Sequence, residues 1–287
     1  MNEFSAASPA LARDVATLRA RIASWRGQGE RIALVPTMGA LHAGHVSLVR
    51  EARKHAGRTV MSIFVNPTQF APSEDLSAYP RTFEADAALF REAGGDLLFA
   101  PQPAVMYGEG FATRIEVGGP AAAGLEDRFR PTHFSGVATV VAKLLNQCRP
   151  DVAIFGEKDY QQLKVVTRMA RDLDVETAII GAPTIRDPDG LALSSRNVYL
   201  SPQERRQAPA LHGALDQCAA DLRAGEKLDV ALDRASARVA AAGFVIDYIE
   251  ARHAESLARV GALADGPVRL LAAARLGKTR LIDNIAV

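Results

Sequence analysis

One junction constrains this chain most: an apolar run, a glycine-containing turn and an amphipathic segment follow one another directly. Ile32–Val35 predicts a buried strand, and residues 46–53 have the apolar spacing of a helix. Between them, His42, Gly44 and His45 form a His-x-Gly-His sequence at the mouth of the predicted helix. Free backbone N–H groups and the positive end of the helix dipole make such a place suitable for phosphate. The junction therefore predicts an α/β chain that handles nucleotides.

A histidine pair at this spacing also has plainer explanations. Two histidines can be structural, and a zinc site would need at least one further ligand. The nucleotide interpretation is favoured because Gly39 and Gly44 accompany His42 and His45 at a strand-to-helix junction. Gly44 lets the backbone approach a ligand, and the imidazoles can donate hydrogen bonds to phosphate oxygens while adding charge only when protonated.

Strand-like and helix-like segments alternate over the first two thirds of the chain. Strands are predicted at 31–36, 59–65, 97–100, 152–155 and 175–181, and helices at 11–28, 45–56, 82–94, 135–148 and 159–173. Apolar strands separated by helices indicate a parallel sheet covered on both faces. We therefore expect a Rossmann-like nucleotide-binding domain over residues 1–184, with its ligands past the carboxyl ends of the strands.

The pattern changes beyond the strong turn signal Asp187-Pro188-Asp189-Gly190. Helices are predicted at 202–224 and 228–242, and strands at 244–250, 268–274 and 279–285. Helices and strands in separate blocks indicate a small α+β domain over residues 185–287. The expected architecture is thus an α/β domain followed by a smaller C-terminal lid domain.

Composition limits the partners. The 34 basic and 33 acidic residues leave a net charge of +1, which argues against a broad nucleic-acid surface. No apolar run approaches the roughly 20 residues that span a bilayer, and the start of the sequence does not resemble a signal peptide. Cys148 and Cys218 lack the spacing of a metal site. We expect two reduced structural thiols in a soluble cytoplasmic protein with no membrane partner.

Three further segments carry polar groups suited to a nucleotide or a small acid. Gly156–Asp159 follows a predicted strand, and its Lys158 offers a point charge for phosphate. Leu193–Arg196 places two hydroxyls and a guanidinium side by side, as a polyphosphate clamp would. Gln69, after another strand, offers a donor and an acceptor. Each segment alone could be an ordinary helix start or surface loop, but together they predict a triphosphate site with a mobile lid.

In their order along the chain, these segments resemble the pantothenate synthetase (pantoate–β-alanine ligase) family, of the HxGH nucleotidyltransferase superfamily. The resemblance is carried by Pro36–His45, Phe64–Phe70, Tyr79–Arg81, Arg130–Phe134, Phe155–Gln162, Ser194–Asn197 and Gly277–Asn284. The His-x-Gly-His sequence alone marks only the superfamily, whereas the combination is specific to the family and covers nearly the whole chain.

The resemblance implies an ATP-dependent ligation in two steps. ATP adenylates the carboxylate of pantoate and releases pyrophosphate, and the amine of β-alanine then attacks the pantoyl-adenylate to give pantothenate and AMP. It also implies Mg²⁺ on the phosphates and a homodimer. Two alternatives stay open: another HxGH nucleotidyltransferase acting on a small phosphorylated substrate, and a nucleotide-binding regulator that is not an enzyme.

The resemblance assigns catalytic roles to residues from three segments. His42 and His45 would stabilise the phosphates, with His45 as a proton donor, and Lys158 would hold phosphate oxygens. Ser194, Ser195 and Arg196 would close over the β- and γ-phosphates. The matching ATP contacts are Met38, Gly39, Ala40, Leu41, His42, Ala43, Gly44, His45, Gly156, Glu157, Lys158, Asp159, Ile185 (through its backbone), Leu193, Ser194, Ser195 and Arg196.

The same resemblance assigns the acid and amine contacts. Gln69 matches a residue that touches both pantoate and β-alanine, and Gln162 matches a pantoate contact. Arg130 and His133 match neighbours of the site of the second step.

This chain departs from the family pattern at two places. Leu193 stands where the family usually has Met, and we expect little loss because the two side chains have similar apolar volume. Ala85 stands beside Asp86 where some relatives carry a second acid. Because that second acid is missing, Asp86 is not assigned a magnesium role, and no residue is assigned as a metal ligand.

Overall fold

The computed structural model describes residues 9–70, 76 and 79–287, so the start of the chain lies outside the described residues. The strands are β1 (Ala10–Ala12), β2 (Ile32–Thr37), β3 (Arg58–Ile63), β4 (Leu97–Phe99), β5 (Val152–Gly156), β6 (Ala178–Ala182), β7 (Val245–His253), β8 (Val268–Leu276) and β9 (Thr279–Ala286). The helices are α1 (Val15–Arg26), α2 (Ala43–His55), α3 (Phe83–Glu92), α4 (Pro103–Met106), α5 (Glu126–Phe129), α6 (His133–Cys148), α7 (Tyr160–Asp172), α8 (Pro202–Gln207), α9 (Ala210–Arg223) and α10 (Leu228–Ala241). Short 3-10 turns lie at Pro67–Gln69, Gly119–Ala122, Glu157–Asp159, Ser195–Tyr199 and Leu263–Asp265.

The chain divides into two compact units. The first takes the chain up to Glu116 together with Thr132–Phe155 and Val166–Ala182. The second takes Val117–Pro131, Gly156–Val165 and Pro183–Val287. Two segments that precede residue 184 thus belong to the second unit, so a single cut between 184 and 185 does not describe this division. As a boundary between folding domains, that cut stays a prediction.

The sheet of the first unit confirms the predicted α/β class. Its strand order is β1-β4-β3-β2-β5-β6. The pairs β1–β4, β4–β3, β3–β2 and β2–β5 are all parallel, and Val60 of β3 lies between Leu34 of β2 and Leu97 of β4. Parallel neighbours require crossover connections, which the helices between the strands supply. The carboxyl ends of β2 and β3 therefore open at the same edge of the sheet.

The core of the first unit follows from the pattern around β2 and α2. Ile32–Val35 is fully buried, as a continuous apolar run in a central strand should be. On α2, the buried residues Leu48, Val49 and Ala52 recur at helical spacing and pack with Val35. This packing holds the start of α2 just past the end of β2.

Two predicted helices differ from those in the structure. The predicted helix 11–28 begins only at Val15, where Asp14 caps it by accepting from the N–H of Thr17 at 2.8 Å. Ala10–Ala12 is instead strand β1, because it pairs with β4 from a distant part of the chain. The predicted helix 202–224 is two helices, α8 and α9. Pro209 separates them, since it has no N–H for the helical ladder and clashes with the preceding turn.

The second unit has an antiparallel sheet, β7-β8-β9, with α9 and α10 contributing to the same core. Leu211, Leu215 and Cys218 of α9 are buried in that core at helical spacing. Cys148 of the first unit is also buried, and neither cysteine is in a disulfide. Among the helices of the described residues, none is both long and apolar enough to cross a membrane.

Candidate active site

The side chains of His42 and His45 accept hydrogen bonds from the backbone at the start of α2 and cap this helix. The N–H of Gly44 donates to Nδ1 of His42 at 3.1 Å, and the N–H of His42 donates to Nδ1 of His45 at 3.2 Å. The two ring centroids are 4.2 Å apart. Because each Nδ1 accepts a hydrogen bond, each neutral ring carries its proton on Nε2. An Nε2–H group is a donor of a kind that suits phosphate oxygens.

The loop before this pair is held by a carboxylate. Gly39 and Ala40 have φ values of 85° and 52°, and Asp86 accepts from the N–H of Ala40 at 3.0 Å and of Leu41 at 2.8 Å. Asp86 is 2% exposed and also accepts from the hydroxyl of Thr82 at 3.0 Å. A Cβ at Gly39 would lie 3.0 Å from Oδ2 of Asp86, so this approach needs glycine. Asp86, which the sequence left without a role, therefore shapes the loop that leads to His42.

Gln69 has its side-chain amide oriented by neighbours. Asn66 donates to Oε1 of Gln69 at 3.1 Å, and Nε2 of Gln69 lies 3.2 Å from Sδ of Met38. Tyr107 donates its hydroxyl hydrogen to Asn66 at 2.7 Å, and burial raises the pKa of Tyr107, so this hydroxyl stays protonated. The structure thus brings Gln69 next to Met38, two residues predicted for the site, and turns the Gln69 amide nitrogen away from Asn66.

Helix α6 packs closely on the turn that carries Gln69. His133 is buried, and its Nδ1 lies 3.0 Å from the carbonyl oxygen of Gln69. A Cβ at Gly136 would lie 2.4 Å from the carbonyl oxygen of Thr68, a backbone atom that cannot move aside freely. Glycine at this position therefore allows α6 to pack this closely on the turn. His133, a weaker prediction from the sequence, thus contacts a predicted substrate residue through its backbone.

In the second unit, Lys158 lies in the 3-10 turn Glu157–Asp159 that leads from β5 into α7. Lys158 is half-buried and Asp159 is exposed. Asn284 donates both amide hydrogens to this turn, to the carbonyl oxygens of Glu157 and Lys158, each at 2.9 Å. The backbone that carries the lysine is therefore fixed by a side chain of β9.

Adjacent glutamines of α7 have different surroundings. Gln161 is buried, accepts from the N–H of Glu126 at 2.9 Å, and donates to Pro120 at 2.8 Å and Asp127 at 2.9 Å. Gln162 is half-buried and lies on a different side of the helix. The Gln161 side chain therefore holds the start of α5 and the 3-10 turn Gly119–Ala122 before it, whereas Gln162 is the residue predicted to contact pantoate.

Arg130 lies at the edge of a buried ion cluster. Its guanidinium is 4.0 Å from Glu126, which pairs with Arg280 through two hydrogen bonds of 2.7 and 2.8 Å and accepts from Tyr248 at 2.8 Å. Burial raises the pKa of Glu126, but the hydrogen bonds and charge of Arg280 outweigh it and hold this pKa below its usual value. Glu126 is thus ionised at neutral pH and forms an ion pair with Arg280.

The segment between Ile185 and Leu193 is a closed hairpin. The N–H of Leu193 donates to the carbonyl of Ile185 at 2.9 Å. Arg205 bridges the turn at its tip, with contacts of 2.8 Å to Asp187 and 2.6 Å to Asp189. Arg205 also lowers the pKa of Asp189, so the bridge persists as an ion pair at neutral pH. The hairpin ends at Leu193, which directly precedes Ser194, Ser195 and Arg196.

Ser194, Ser195 and Arg196 follow this hairpin. Oγ of Ser194 accepts from the N–H of Arg196 at 3.2 Å, which caps the 3-10 turn Ser195–Tyr199. Asn197 donates to the carbonyl of Ala192 at 3.0 Å and ties the turn to the hairpin. Ser194 through Arg196 are half-buried. Two hydroxyls and a guanidinium therefore lie on one tight turn.

The predicted site residues divide between the two units. Met38 through His45, Gln69 and His133 belong to the first unit. Gly156 through Asp159, Gln162, Arg130, Ile185 and Leu193 through Arg196 belong to the second. Met38 through Leu41 follow β2, Gln69 follows β3, and Gly156 through Asp159 lie at the end of β5 and in the turn after it. His42 through His45 begin α2, whereas Arg130, His133 and Gln162 lie at the end of α5, at the start of α6 and within α7.

The donor set fits a magnesium ion that arrives with its nucleotide. Across residues 9–70, 76 and 79–287, no three histidine, cysteine or acidic side chains are grouped to hold a metal ion. Magnesium keeps several water ligands and is usually bound through substrate phosphates with one or two carboxylates. Asp159, exposed beside Lys158, is a carboxylate of this kind, whereas Asp86 already accepts three hydrogen bonds.

Comparison with known sequences places the chain in a family. A family model described as pantoate-beta-alanine ligase matches residues 10–286. Pantothenate synthetase 2 of Bradyrhizobium diazoefficiens is 61% identical over 280 residues, which cover 98% of this chain and 99% of that protein. Pantothenate synthetase of Rhodopseudomonas palustris strain HaA2 is 59% identical over 279 residues, which cover 97% of this chain and 99% of that protein.

Solved structures agree with the sequence relatives. The crystal structure of pantothenate synthetase from Thermus thermophilus has a TM-score of 0.91 and 47% identity, and covers 96% of this chain and 98% of that chain. That of pantoate-beta-alanine ligase from Francisella tularensis, complexed with beta-gamma ATP and beta-alanine, has a TM-score of 0.82 and 34% identity, and covers 97% of both chains. Because these matches extend along almost its whole length, the chain belongs to the pantoate-beta-alanine ligase family and is a ligase.

Proposed function

We propose that this protein joins pantoate to β-alanine with ATP and produces pantothenate, AMP and pyrophosphate. The observation that carries the proposal is the family match over residues 10–286, because that range contains every residue given a role below. The Francisella tularensis relative, whose structure holds beta-gamma ATP and beta-alanine, supports the choice of two of the substrates.

The first step is the adenylation of pantoate. A carboxylate oxygen of pantoate attacks the α-phosphorus of ATP, the new P–O bond forms, and the bond to pyrophosphate breaks. Such a transfer needs alignment and charge stabilisation more than a covalent nucleophile. The Nε2–H donors of His42 and His45 would stabilise the charge on the phosphates, and His45 would supply a proton to the leaving pyrophosphate. Lys158 would hold phosphate oxygens with its ammonium group.

The second step is amide formation. The amine of β-alanine attacks the acyl carbon of the adenylate, AMP leaves with its electron pair, and the amine loses a proton. Gln69 would touch both pantoate and β-alanine through its side-chain amide, whose nitrogen lies 3.2 Å from Sδ of Met38. Gln162 would contact pantoate, while Arg130 and His133 would lie near the second-step site.

The remaining contacts concern the triphosphate. Ser194, Ser195 and Arg196 would close over the β- and γ-phosphates as a lid, which also protects the adenylate from water. The backbone segments from Met38 to His45 and from Gly156 to Asp159, with Ile185 and Leu193, would complete the ATP contacts. Magnesium neutralises phosphate charge when it is bound, and Asp159 is the carboxylate that this segment offers it.

We further propose a homodimer in the cytoplasm. The family resemblance supports the dimer. The charge balance concerns the partners instead: 34 basic and 33 acidic residues agree with small-molecule substrates rather than nucleic acid. Sedimentation of the purified protein checks this assembly: a species of twice the 30.7 kDa chain mass is expected, and a monomer contradicts it.

The test of the function measures AMP and pyrophosphate from ATP and magnesium, with pantoate and β-alanine added singly and together. AMP and a product of pantothenate mass, formed only when both are present, support the proposal. Nucleotide turnover without that product would favour a nucleotidyltransferase with another, phosphorylated substrate. ATP binding without AMP under any substrate mixture would favour a regulator.

A further inference from the structure

Strand β9 carries two polar residues that the proposed mechanism does not use. Asp283 and Asn284 are 5% and 3% exposed. Neighbouring residues of a strand point to opposite faces of the sheet, so the two side chains serve different surroundings. Each of them makes hydrogen bonds with a segment that holds proposed ATP-binding residues, and both segments belong to the same compact unit as β9.

The amide of Asn284 has a single satisfactory orientation. Its nitrogen donates to the carbonyl oxygens of Glu157 and Lys158, each at 2.9 Å, and its oxygen accepts from Nε of Arg269 at 2.7 Å. A flipped amide would place its oxygen against two carbonyl oxygens and its hydrogens against a guanidinium. The amide therefore acts as a fixed two-pronged donor to the backbone on which Lys158 stands.

Arg269 gives the same turn a second anchor. Its Nη2 lies 3.2 Å from a carboxylate oxygen of Glu157, and its guanidinium lies 4.2 Å from the ring centroid of Tyr160. Tyr160 in turn donates its hydroxyl hydrogen to Ala254 at 3.0 Å. The turn Glu157–Asp159 is thus held through backbone, carboxylate and adjoining ring.

Asp283 performs the same task for the other segment. It forms a two-point ion pair with Arg186, at 2.6 and 2.8 Å, and Arg186 also donates to the carbonyl of Gly190 at 3.1 Å. Arg186 is next to Ile185, and the hairpin it braces ends at Leu193. Such bidentate pairs fix geometry as well as adding energy.

We propose that Asp283 and Asn284 are positioning residues for ATP: Asn284 fixes the backbone that carries Lys158, and Asp283 fixes the hairpin between Ile185 and Leu193. Lysine has a flexible four-carbon stem, so its ammonium group is placed well only if its backbone is placed well. The inference rests on the proposed function, in which Lys158 and this hairpin contact ATP.

Asn284→Asp is the sharpest variant. Aspartate keeps the size and the acceptor for Arg269 but replaces both donors with an oxygen that faces two carbonyls. We expect kcat/KM for ATP to fall about 10- to 100-fold, as a misplacement of about 1 Å can produce. KM for β-alanine should change less than about twofold, because Asn284 braces a segment that we propose contacts ATP. A loss of folded enzyme would instead lower kcat and leave the KM of both substrates unchanged.

The matched control is Arg223→Ala. Arg223 is exposed and donates to the carbonyl of Ala286 at 3.1 Å, so this variant also removes a side-chain bond to the backbone of this part of the chain. It touches neither ATP segment, and its ATP kinetics should match those of the original protein. Arg269→Lys, which leaves Asn284 in place but loosens its amide, provides a milder second variant if Asn284→Asp does not fold.

A double-mutant cycle with Lys158→Ala tests whether Asn284 acts through the lysine. On the Lys158→Ala background, Asn284→Asp should cause less than about twofold further loss, since coupled residues are not additive. Full additivity, or ATP kinetics of Asn284→Asp like those of Arg223→Ala, would overturn the inference. If the original protein forms no pantothenate, the proposed function fails instead, and the same cycle measured by calorimetric ATP binding still decides the positioning role.

Discussion

Replacing Asp86 by asparagine tests how the loop before the histidine pair keeps its shape. The carboxylate is buried and accepts two backbone N–H groups and one hydroxyl, at 3.0, 2.8 and 3.0 Å. Asparagine keeps one acceptor oxygen but turns an NH₂ group toward an N–H donor. Hydrogen bonds to a charged acceptor contribute about 1.5–3 kcal/mol each, so we expect Asp86→Asn to lower the free energy of unfolding by about 2–4 kcal/mol.

The same substitution should affect catalysis more than its stability cost explains. Gly39 and Ala40 have positive φ values that the Asp86 contacts hold, and His42 follows directly. Loss of those contacts would let the Nε2–H groups of His42 and His45 move away from the phosphates that we propose they stabilise. We expect kcat/KM for ATP to fall on the order of 10²-fold in folded enzyme, as small misplacements do.

Urea unfolding and pyrophosphate release measure the two effects. Trp25, the single tryptophan, is buried in the first unit and reports its unfolding by fluorescence. The control is Glu84→Gln, which removes an exposed acid from the same first turn of α3 and should change the free energy of unfolding by less than about 0.5 kcal/mol. If Asp86→Asn matches Glu84→Gln in both measurements, the positioning role of Asp86 is wrong.

Three other outcomes are expected. His45→Ala should lower AMP formation roughly 10²-fold or more, as loss of one stabilising donor does, and near-normal pyrophosphate release would remove its assigned role. The folded protein holds the pKa of Glu126 below the reference value of 4.5, so its stability advantage over Glu126→Gln is full above pH 4.5 and declines as pH falls further; urea midpoints against pH check this sign. Burial raises the pKa of Cys148 to about 12 and of Cys218 to about 11, so a thiol reagent such as DTNB at pH 8 should label neither in native protein and both in denaturant, and rapid native labelling would contradict their burial.

Local patterns were sufficient for the β2–α2 junction. A continuous apolar run, a turn with glycine and an amphipathic segment specify a buried strand and the helix after it without help from distant residues. The segments around Gln69, Lys158 and Arg196 were singled out in the sequence because polar residues at strand ends and in turns stand out against apolar strands, and their roles at the site stay predictions. The family match then covers all of them.

The contacts that shape these segments depend on distant parts of the chain. Asp86 meets Ala40 across 46 positions, and Asn284 meets Glu157 across 127. Neither contact has a spacing that periodicity can detect, since it arises only when the strands and helices pack. Strand β1 was missed for a related reason: Ala10–Ala12 suits a helix equally well, and its pairing with β4 decides its conformation. The break at Pro209, by contrast, was visible in the sequence.

The central claim is that the two substrates are joined through a pantoyl-adenylate, and isotope transfer tests it most directly. The enzyme is supplied with ATP, magnesium, β-alanine and pantoate labelled with ¹⁸O in its carboxylate, and the AMP is analysed by mass spectrometry. Attack of the carboxylate on the α-phosphorus, followed by attack of the amine on the acyl carbon, leaves one labelled oxygen in AMP. Unlabelled AMP formed together with pantothenate would contradict the adenylate and the roles assigned to His42, His45 and Lys158.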